Sequence, residues 1–180
     1  MKKIILLCLV ALATVTASAQ FYVGGTLGAS YDKTKYGDES VKQCLYMLSP
    51  EFGYNIDPSI AIGASMTFGY GDNDDDEQKL YEIAPYVRAT FAKAKSVKFF
   101  AEGTLFLSHS KLSLFAQDIS YNTYGAALRP GFMVNVGSNI NIVGKATMLQ
   151  YSRTDDSDVD MRRWTVGIPN SFTIGILVDF

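Results

Sequence analysis

Cysteine, histidine and long apolar runs are scarce in this sequence, and each scarcity excludes a class of protein. The 180 residues include two cysteines, Cys8 and Cys44, and one histidine, so neither a Cys/His metal cluster nor a disulfide framework is predicted. No segment holds 18 consecutive apolar residues, which excludes a transmembrane helix. The formal net charge is −2 without a basic patch, so no nucleic-acid partner is predicted.

Aromatic residues and glycine are plentiful instead. The chain has 11 tyrosines, 11 phenylalanines and 15 glycines, and 48% of its residues are hydrophobic. An apolar fraction this high excludes a disordered chain, and the length fits one domain. Aromatic residues favour strands over helices, so the composition predicts an all-β fold.

The first 19 residues form a targeting pattern. Lys2 and Lys3 precede an apolar stretch over residues 4–13, and the small residues 17–19 follow. This order is typical of a secretory signal peptide, so we predict cleavage after residue 19 and one mature domain over residues 20–180. That domain keeps Cys44 alone and therefore has no internal disulfide. An exported chain of this kind can be periplasmic, secreted or a membrane β-barrel.

Alternation with period two divides the mature chain into eight long segments. They lie near residues 20–31, 42–55, 60–71, 80–92, 97–109, 121–136, 140–153 and 164–180. Their connections alternate in length, with short turns at 55–59, 93–96 and 137–139 and longer polar loops at 32–41, 72–79, 110–120 and 154–163. Spanning strands need about 9–11 residues. The pattern predicts an eight-stranded antiparallel up-and-down transmembrane β-barrel with short periplasmic turns, long extracellular loops and periplasmic termini.

The composition of the two strand faces indicates which face is inside. In the third segment Ile60, Ile62 and Met66 alternate with glycine, alanine, serine and threonine. A soluble lipocalin-like barrel, the alternative, would carry long charged side chains on its polar face. Small polar residues instead suit the crowded lumen of an eight-stranded membrane barrel. Aromatic residues form two girdles, with Tyr31, Tyr46, Phe68, Tyr70, Tyr81 and Trp164 near the long loops and Phe21, Phe52, Tyr54, Phe91, Phe99 and Phe180 near the short turns.

Five charged residues share the polar face at similar distances from the short turns: Glu51, Arg88, Glu102, Arg129 and Lys145. We predict that they form one layer in the lumen, with Arg88 paired with Glu102 across the turn at 93–96. Buried charges are costly unless paired, so acids and bases at one height offset that cost. The layer predicts a structural plug, and a small gated pore lined by the same charges is the alternative.

Several segments resemble the OmpA/OmpX-type, or opacity-like, small outer-membrane β-barrels. They are Ser49-Pro50-Glu51-Phe52-Gly53-Tyr54-Asn55, Ala84-Pro85-Tyr86-Val87-Arg88, Leu128-Arg129-Pro130-Gly131 and the last strand ending in Phe180. The resemblance implies location in the outer membrane of a Gram-negative bacterium and contact with membrane lipids and lipopolysaccharide. It also implies that Phe180 acts as the signal for the barrel-assembly machinery. We expect a monomer with no cofactor.

Some barrels of this size modify lipid A, so His109 is the candidate catalytic residue. Lipid A deacylase barrels carry a histidine and a serine two residues apart on one face, whereas Lys111 stands at that position here. This departure predicts a protein that is not an enzyme. The acidic segment 72–77 resembles the start of a calcium loop but lacks the central glycine and the distal glutamate, so no metal site is predicted. Residues 155–160 form a second acidic segment beside Arg153, Arg162 and Arg163. A weak divalent-cation bridge to lipopolysaccharide phosphates stays open.

The segment 110–120 carries apolar residues beyond the expected edge of the bilayer. Leu112, Leu114 and Phe115 are the candidates for a surface-interaction loop, because an exposed apolar strand can recruit a partner. The sequence therefore predicts a structural barrel with an adhesion-like role and a possible host ligand.

Overall fold

The structure of the chain is a computed structural model. It describes residues 20–36, 39–73, 76–114, 117–156, 159–166 and 171–180. The predicted signal peptide, residues 1–19, lies outside the described residues.

The described residues form ten strands, all antiparallel to their neighbours, in one closed wall. They are β1 (Phe21–Tyr36), β2 (Glu39–Asn55), β3 (Ile60–Asn73), β4 (Asp76–Ala94), β5 (Val97–Leu114), β6 (Gln117–Asn135), β7 (Ile140–Ala146), β8 (Leu149–Asp156), β9 (Val159–Val166) and β10 (Ser171–Asp179). Strand β10 pairs with β1, which closes the barrel. Strands β7 and β8 together form the seventh predicted strand, and β9 and β10 form the eighth. The predicted eight-stranded barrel is confirmed. Among the described residues, no helix has the length and apolar character to cross a bilayer.

A β-bulge separates β7 from β8. Lys145 pairs with Gly131 of β6, and Leu149 pairs with Leu128 of the same strand. The chain therefore advances four residues from Lys145 to Leu149 while β6 advances three. The extra residue lies at Thr147–Met148 and moves the inward-facing positions from odd to even numbers. The sequence predicted one continuous strand over residues 140–153. That prediction is wrong, because the bulge divides the segment into β7 and β8.

The four predicted long loops are mostly paired strand. Strands β5 and β6 stay paired out to Leu114 and Gln117, and β3 and β4 out to Asn73 and Asp76. The prediction ended each strand where apolar residues ceased, but pairing outside a bilayer needs only backbone hydrogen bonds. We call this end of the barrel the hairpin end and the opposite one the short-turn end.

The apolar face of the wall points outward. Leu27 is 62% exposed and Leu105 is 64% exposed, whereas Thr26 is 2% and Thr104 is 3% exposed. A soluble barrel would show the reverse order, so that alternative is wrong. The exposed aromatic residues lie in two girdles, with Tyr46, Phe68, Tyr70, Tyr81 and Trp164 toward the hairpin end and Phe52, Phe91, Phe99 and Phe180 toward the short-turn end. The side chain of Tyr31 lies outside the described residues.

Candidate functional site in the barrel lumen

Four of the five predicted lumen charges meet at one height. Ladder register places Arg88 of β4 directly opposite Glu102 of β5. Glu51 reaches them from β2 and Lys145 from β7. Their exposed fractions are 0–5%, so all four are buried inside the barrel. We call these four residues the charged layer.

Short hydrogen bonds join the charged layer. Arg88 Nη2 donates to Glu51 Oε1 at 2.7 Å and to Glu102 Oε2 at 2.9 Å. Lys145 Nζ donates to Glu51 Oε2 at 2.5 Å and lies 3.6 Å from Glu102 Oε2. Two acids therefore face two bases, and their formal charges cancel. The other oxygen of Glu102, Oε1, is buried without a hydrogen-bond partner among the described residues.

Three aromatic rings surround the Arg88 guanidinium. Its Cζ atom lies 4.7 Å from the ring centre of Phe100, 5.0 Å from that of Tyr86 and 5.4 Å from that of Tyr22. The two tyrosine hydroxyls share a hydrogen bond of 2.7 Å, and Tyr86 donates to Glu51 at 3.1 Å. Cation–π contacts of this kind strengthen when water is excluded. The rings thus fill the space around the charges.

Sequence reasoning missed these three rings. Tyr86 precedes Arg88 by two residues, and Phe100 precedes Glu102 by two, so both pairs share a face. The alternation that places the charged residues on the inward face also places these rings there. Aromatic residues of such barrels are expected at the lipid interfaces rather than in the lumen.

Glycines in the neighbouring strands make room for the rings. Gly53 lies opposite Tyr22, and Gly63 lies opposite Tyr86. A Cβ atom at Gly63 would approach the Tyr86 hydroxyl oxygen to 2.5 Å, and one at Gly53 would collide with the Tyr22 ring. Because contacts this close are not tolerated, both positions need glycine for the two rings to occupy this space. This close approach explains part of the high glycine content.

Arg129 does not join the charged layer, which corrects the prediction of five charges at one height. Arg129 lies opposite Glu102 in the ladder, but its Nη2 atom is 3.4 Å from Glu82 Oε1 of β4. Glu102 already contacts Arg88 and Lys145, whereas Glu82 gains its counter-ion from Arg129. A second and less buried ion pair therefore lies between the charged layer and the hairpin end.

Cavities lie on both sides of the charged layer. Toward the hairpin end, a cavity of about 300 Å³ is lined by Ser49, Thr67, Glu82, Arg129 and Lys145 among others. Toward the short-turn end, a cavity of about 410 Å³ is lined by residues that include Tyr22, Arg88 and Asp179. Lys145 thus borders the first cavity and Arg88 the second, and the charged layer separates them.

His109 lies on the outer surface, away from the lumen. Its Nδ1 atom is 2.8 Å from Asn122 Oδ1. The neighbouring Ser108 and Ser110 are buried and line the lumen. Histidine and serine therefore lie on opposite sides of the wall and form no catalytic pair. No group of three or more His, Cys, Asp or Glu residues that could hold a metal ion occurs in the described part of the chain.

The predicted surface-interaction loop falls largely on positions that cannot be described. Phe115 and the side chains of Leu112 and Leu114 lie outside the described residues. The backbone of Leu112 and Leu114 belongs to β5. Phe180 lies at the short-turn end, where its side chain is exposed and its backbone N–H donates to the carbonyl of Phe21 at 2.8 Å.

Comparison with known proteins gives one family and several structures. The family described as "Outer membrane protein beta-barrel domain" matches residues 4–172. No curated protein sequence matches the chain.

The solved structures of similar shape include three bacterial outer-membrane proteins. Neisserial surface protein A (NspA) has a TM-score of 0.60 at 18% identity, with 89% of this chain and 97% of that chain covered. Ail of Yersinia pestis has a TM-score of 0.54 at 13% identity, covering 91% and 100%. The N-terminal β-barrel domain of Pseudomonas aeruginosa OprF has a TM-score of 0.55 at 8% identity, covering 91% and 98%. At these identities the likeness shows the fold.

Proposed function

The chain belongs to the outer-membrane β-barrel family, and from that premise we propose a barrel with a sealed lumen that acts through its cell-surface end. It resides in the outer membrane of a Gram-negative bacterium, where its apolar outer face contacts lipid. The hairpin end faces outside the cell, and the short-turn end faces the periplasm.

The observation that carries the sealed lumen is the charged layer with its three rings. Four buried charges joined by hydrogen bonds of 2.5–2.9 Å lie between the two cavities. An eight-stranded barrel has an interior just wide enough for side chains to fill. An ion that crosses would have to separate the buried pairs, and each broken pair leaves an uncompensated charge. This cost favours a plug over a conducting pore.

The experiment that tests the plug is conductance across a planar bilayer. Purified wild-type protein is expected to give no steady current. The double variant Tyr86→Ser with Arg88→Ser serves as the matched open control, because it removes a ring and the central cation of the charged layer. A steady, ion-selective current through the wild type would overturn the plug and favour the gated pore.

The length of the strands supports a role at the cell surface. Strands β4, β5 and β6 have 19, 18 and 19 residues, whereas a spanning strand needs about 9–11. Their hairpin ends therefore project beyond the bilayer. Ail has been crystallised with the heparin analogue sucrose octasulfate, which is a property of that protein. We place the adhesive surface of this chain on Leu112, Leu114 and Phe115.

Deletion of residues 112–119 tests the adhesive surface. Binding of whole cells to host cells or matrix is expected to fall, while deletion of residues 73–76 in the neighbouring hairpin leaves binding intact. Unchanged binding after the first deletion would count against an adhesive role for this hairpin.

The remaining assignments concern chemistry and partners. We propose that the protein is a monomer without a cofactor, is not an enzyme, and contacts lipopolysaccharide. Phe180 is proposed as the signal for the barrel-assembly machinery. Mass spectra of lipid A from cells with and without the protein are expected to coincide. A changed acylation pattern that disappears with His109→Ala would contradict the non-enzymatic assignment.

A further inference from the structure

Two cavities adjoin each other on the hairpin side of the charged layer. The first is the cavity of about 300 Å³ described above, and the second has about 580 Å³ and lies nearer the hairpin end. Leu80, Glu82 and Gln150 line both of them. We call the two cavities together the hairpin-side chamber. Ligand sites in proteins usually occupy about 300–1,000 Å³, so the hairpin-side chamber has the size of such a site.

The β-bulge at Thr147–Met148 directs polar side chains into the hairpin-side chamber. Before the bulge Lys145 faces the lumen, and after it Gln150 and Ser152 of β8 do so, while Leu149 is exposed on the outer face. Without the extra residue, alternation would turn Leu149 inward and Gln150 outward. Bulges are frequent next to functional sites, where they redirect side chains. The bulge therefore supplies the chamber with an amide and a hydroxyl.

Several polar groups that line the hairpin-side chamber form no hydrogen bond within the described part of the chain. Thr26 is 2% exposed, Ser65 is 4% exposed and Ser110 is 5% exposed, yet none of their hydroxyls has a partner there. The same holds for the Gln150 amide. Buried polar groups normally have a partner, which is either protein, water or ligand. A molecule with several hydroxyls would satisfy these groups and displace water from them.

The ion pair between Glu82 and Arg129 lines the first cavity. Glu82 Oε1 accepts a hydrogen bond from Arg129 Nη2 at 3.4 Å, and each side chain is less than one-fifth exposed. A carboxylate accepts up to about four hydrogen bonds and a guanidinium donates several, so both groups can also bind a ligand. Their charges cancel, and Lys145 is already bonded to Glu51. This arrangement favours a neutral ligand that both donates and accepts hydrogen bonds.

Two aromatic side chains line the second cavity. Phe106 is 6% exposed, and Tyr121 is half-buried. Pockets for small molecules combine apolar or aromatic walls with a few well-placed polar groups. A sugar ring has both kinds of surface, because its hydroxyls lie around its edge and its C–H groups form an apolar face. The lining of the hairpin-side chamber therefore matches a sugar ring better than a purely apolar or a charged molecule.

We propose that the hairpin-side chamber binds a neutral sugar. Hydroxyls of the sugar bond to Glu82, Arg129 and Gln150, and its C–H face packs toward Phe106. A free hexose and the terminal hexose of a glycan share this chemistry. The inference goes beyond the proposed function, because a conducting lumen or a hairpin without adhesive activity would leave the sugar site intact.

Titration of the full mature chain with sugars, followed by amide NMR spectra, tests the proposal. The protein is held in dodecylphosphocholine, a detergent without a sugar headgroup. The probes are methyl β-galactoside, methyl β-glucoside, the anionic methyl β-glucuronide, and lactose as the model of a terminal glycan unit. The variants are Gln150→Leu and Thr26→Val. Thr90 lines the cavity at the short-turn end, so Thr90→Val is the matched control for loss of one hydroxyl.

We expect at least one methyl hexoside to shift the amides of Ser65 and Gln150, with a dissociation constant on the order of 1–10 mM. Each variant should bind about three- to tenfold more weakly, because one hydrogen bond to the ligand is lost. Thr90→Val should bind as wild type does. Tighter binding of lactose than of the methyl hexosides would indicate a glycan terminus, and weaker binding would indicate a free hexose.

Four results would each overturn the proposal. They are no shift with any neutral sugar well above the expected dissociation constant, equal or tighter binding of the glucuronide, shifts confined to the short-turn end, and affinities that Gln150→Leu and Thr26→Val leave unchanged. Heat-modifiable migration checks that each variant folds. Thr26→Val preserves the shape of its side chain, so it still provides the test if Gln150→Leu does not fold.

Discussion

Neutralising Glu51 is the perturbation that probes the charged layer most sharply. Glu51 accepts hydrogen bonds from Arg88, Lys145 and Tyr86 and is 2% exposed. The variant Glu51→Gln keeps the shape of the side chain and removes its charge. The charged layer would then hold two cations and a single acid, Glu102.

The expected loss of unfolding free energy in Glu51→Gln depends on the burial of the ion pairs that Glu51 forms. Breaking a buried ion pair costs about 3–5 kcal/mol, because the remaining charge stays uncompensated out of water. Glu77→Gln is the matched control, since its pair with Lys79 is of similar length, 2.9 Å, but exposed. An exposed pair contributes at most about 1 kcal/mol. The two variants remove the same charge and differ in where it lies.

Urea unfolding in detergent micelles measures both free energies. Trp164 is the single tryptophan of the chain and lies on the outer face, so its fluorescence reports loss of the barrel. We expect Glu51→Gln to lose about 3–5 kcal/mol of unfolding free energy and Glu77→Gln to lose about 1 or less. Adding Lys145→Met to Glu51→Gln should recover part of the loss, because charge balance returns. A loss below about 1 kcal/mol for Glu51→Gln would refute the reasoning.

Three further expectations concern packing, assembly and export. Gly63→Ala should cost about 1–3 kcal/mol because its methyl group displaces Tyr86, whereas Gly103→Ala, with open space around it, should be nearly neutral in the same unfolding assay. Phe180→Ala should lower the fraction of chain that shows heat-modifiable migration in membranes, and an unchanged fraction would contradict its role in assembly. The intact mass of the membrane-inserted protein should correspond to residues 20–180, and a mass that includes residues 1–19 would contradict the predicted cleavage.

The sequence predicts the wall of the barrel well because alternation is a local property. Ile60, Ile62 and Met66 reveal a strand and its outward face without knowledge of the neighbouring strands. The ends of the strands were predicted less well. The hairpins beyond the bilayer are polar, so the pattern fades while pairing continues to Leu114 and Gln117. The bulge at Thr147–Met148 becomes visible only when β7 and β8 are compared with their partner β6.

In the candidate site, too, local contacts could be predicted from the sequence and contacts across the lumen could not. Arg88 and Glu102 could be paired by counting residues across one short turn, and the structure places them opposite each other. Arg129 could not be assigned, because its partner Glu82 lies on β4, which is not a neighbour of β6 in the wall. Contacts across the lumen depend on the closure and tilt of the whole barrel. Such contacts cannot be predicted by counting residues along the sequence.

Spin labels at four consecutive positions of β5 test the central claim that the apolar face meets lipid while the lumen is sealed. Single cysteines would replace Thr104, Leu105, Phe106 and Leu107 in turn, with Cys44→Ser as background. Collision with oxygen dissolved in the bilayer should be high at 105 and 107 and low at 104 and 106. The reverse alternation, or equal accessibility at all four positions, would contradict the account.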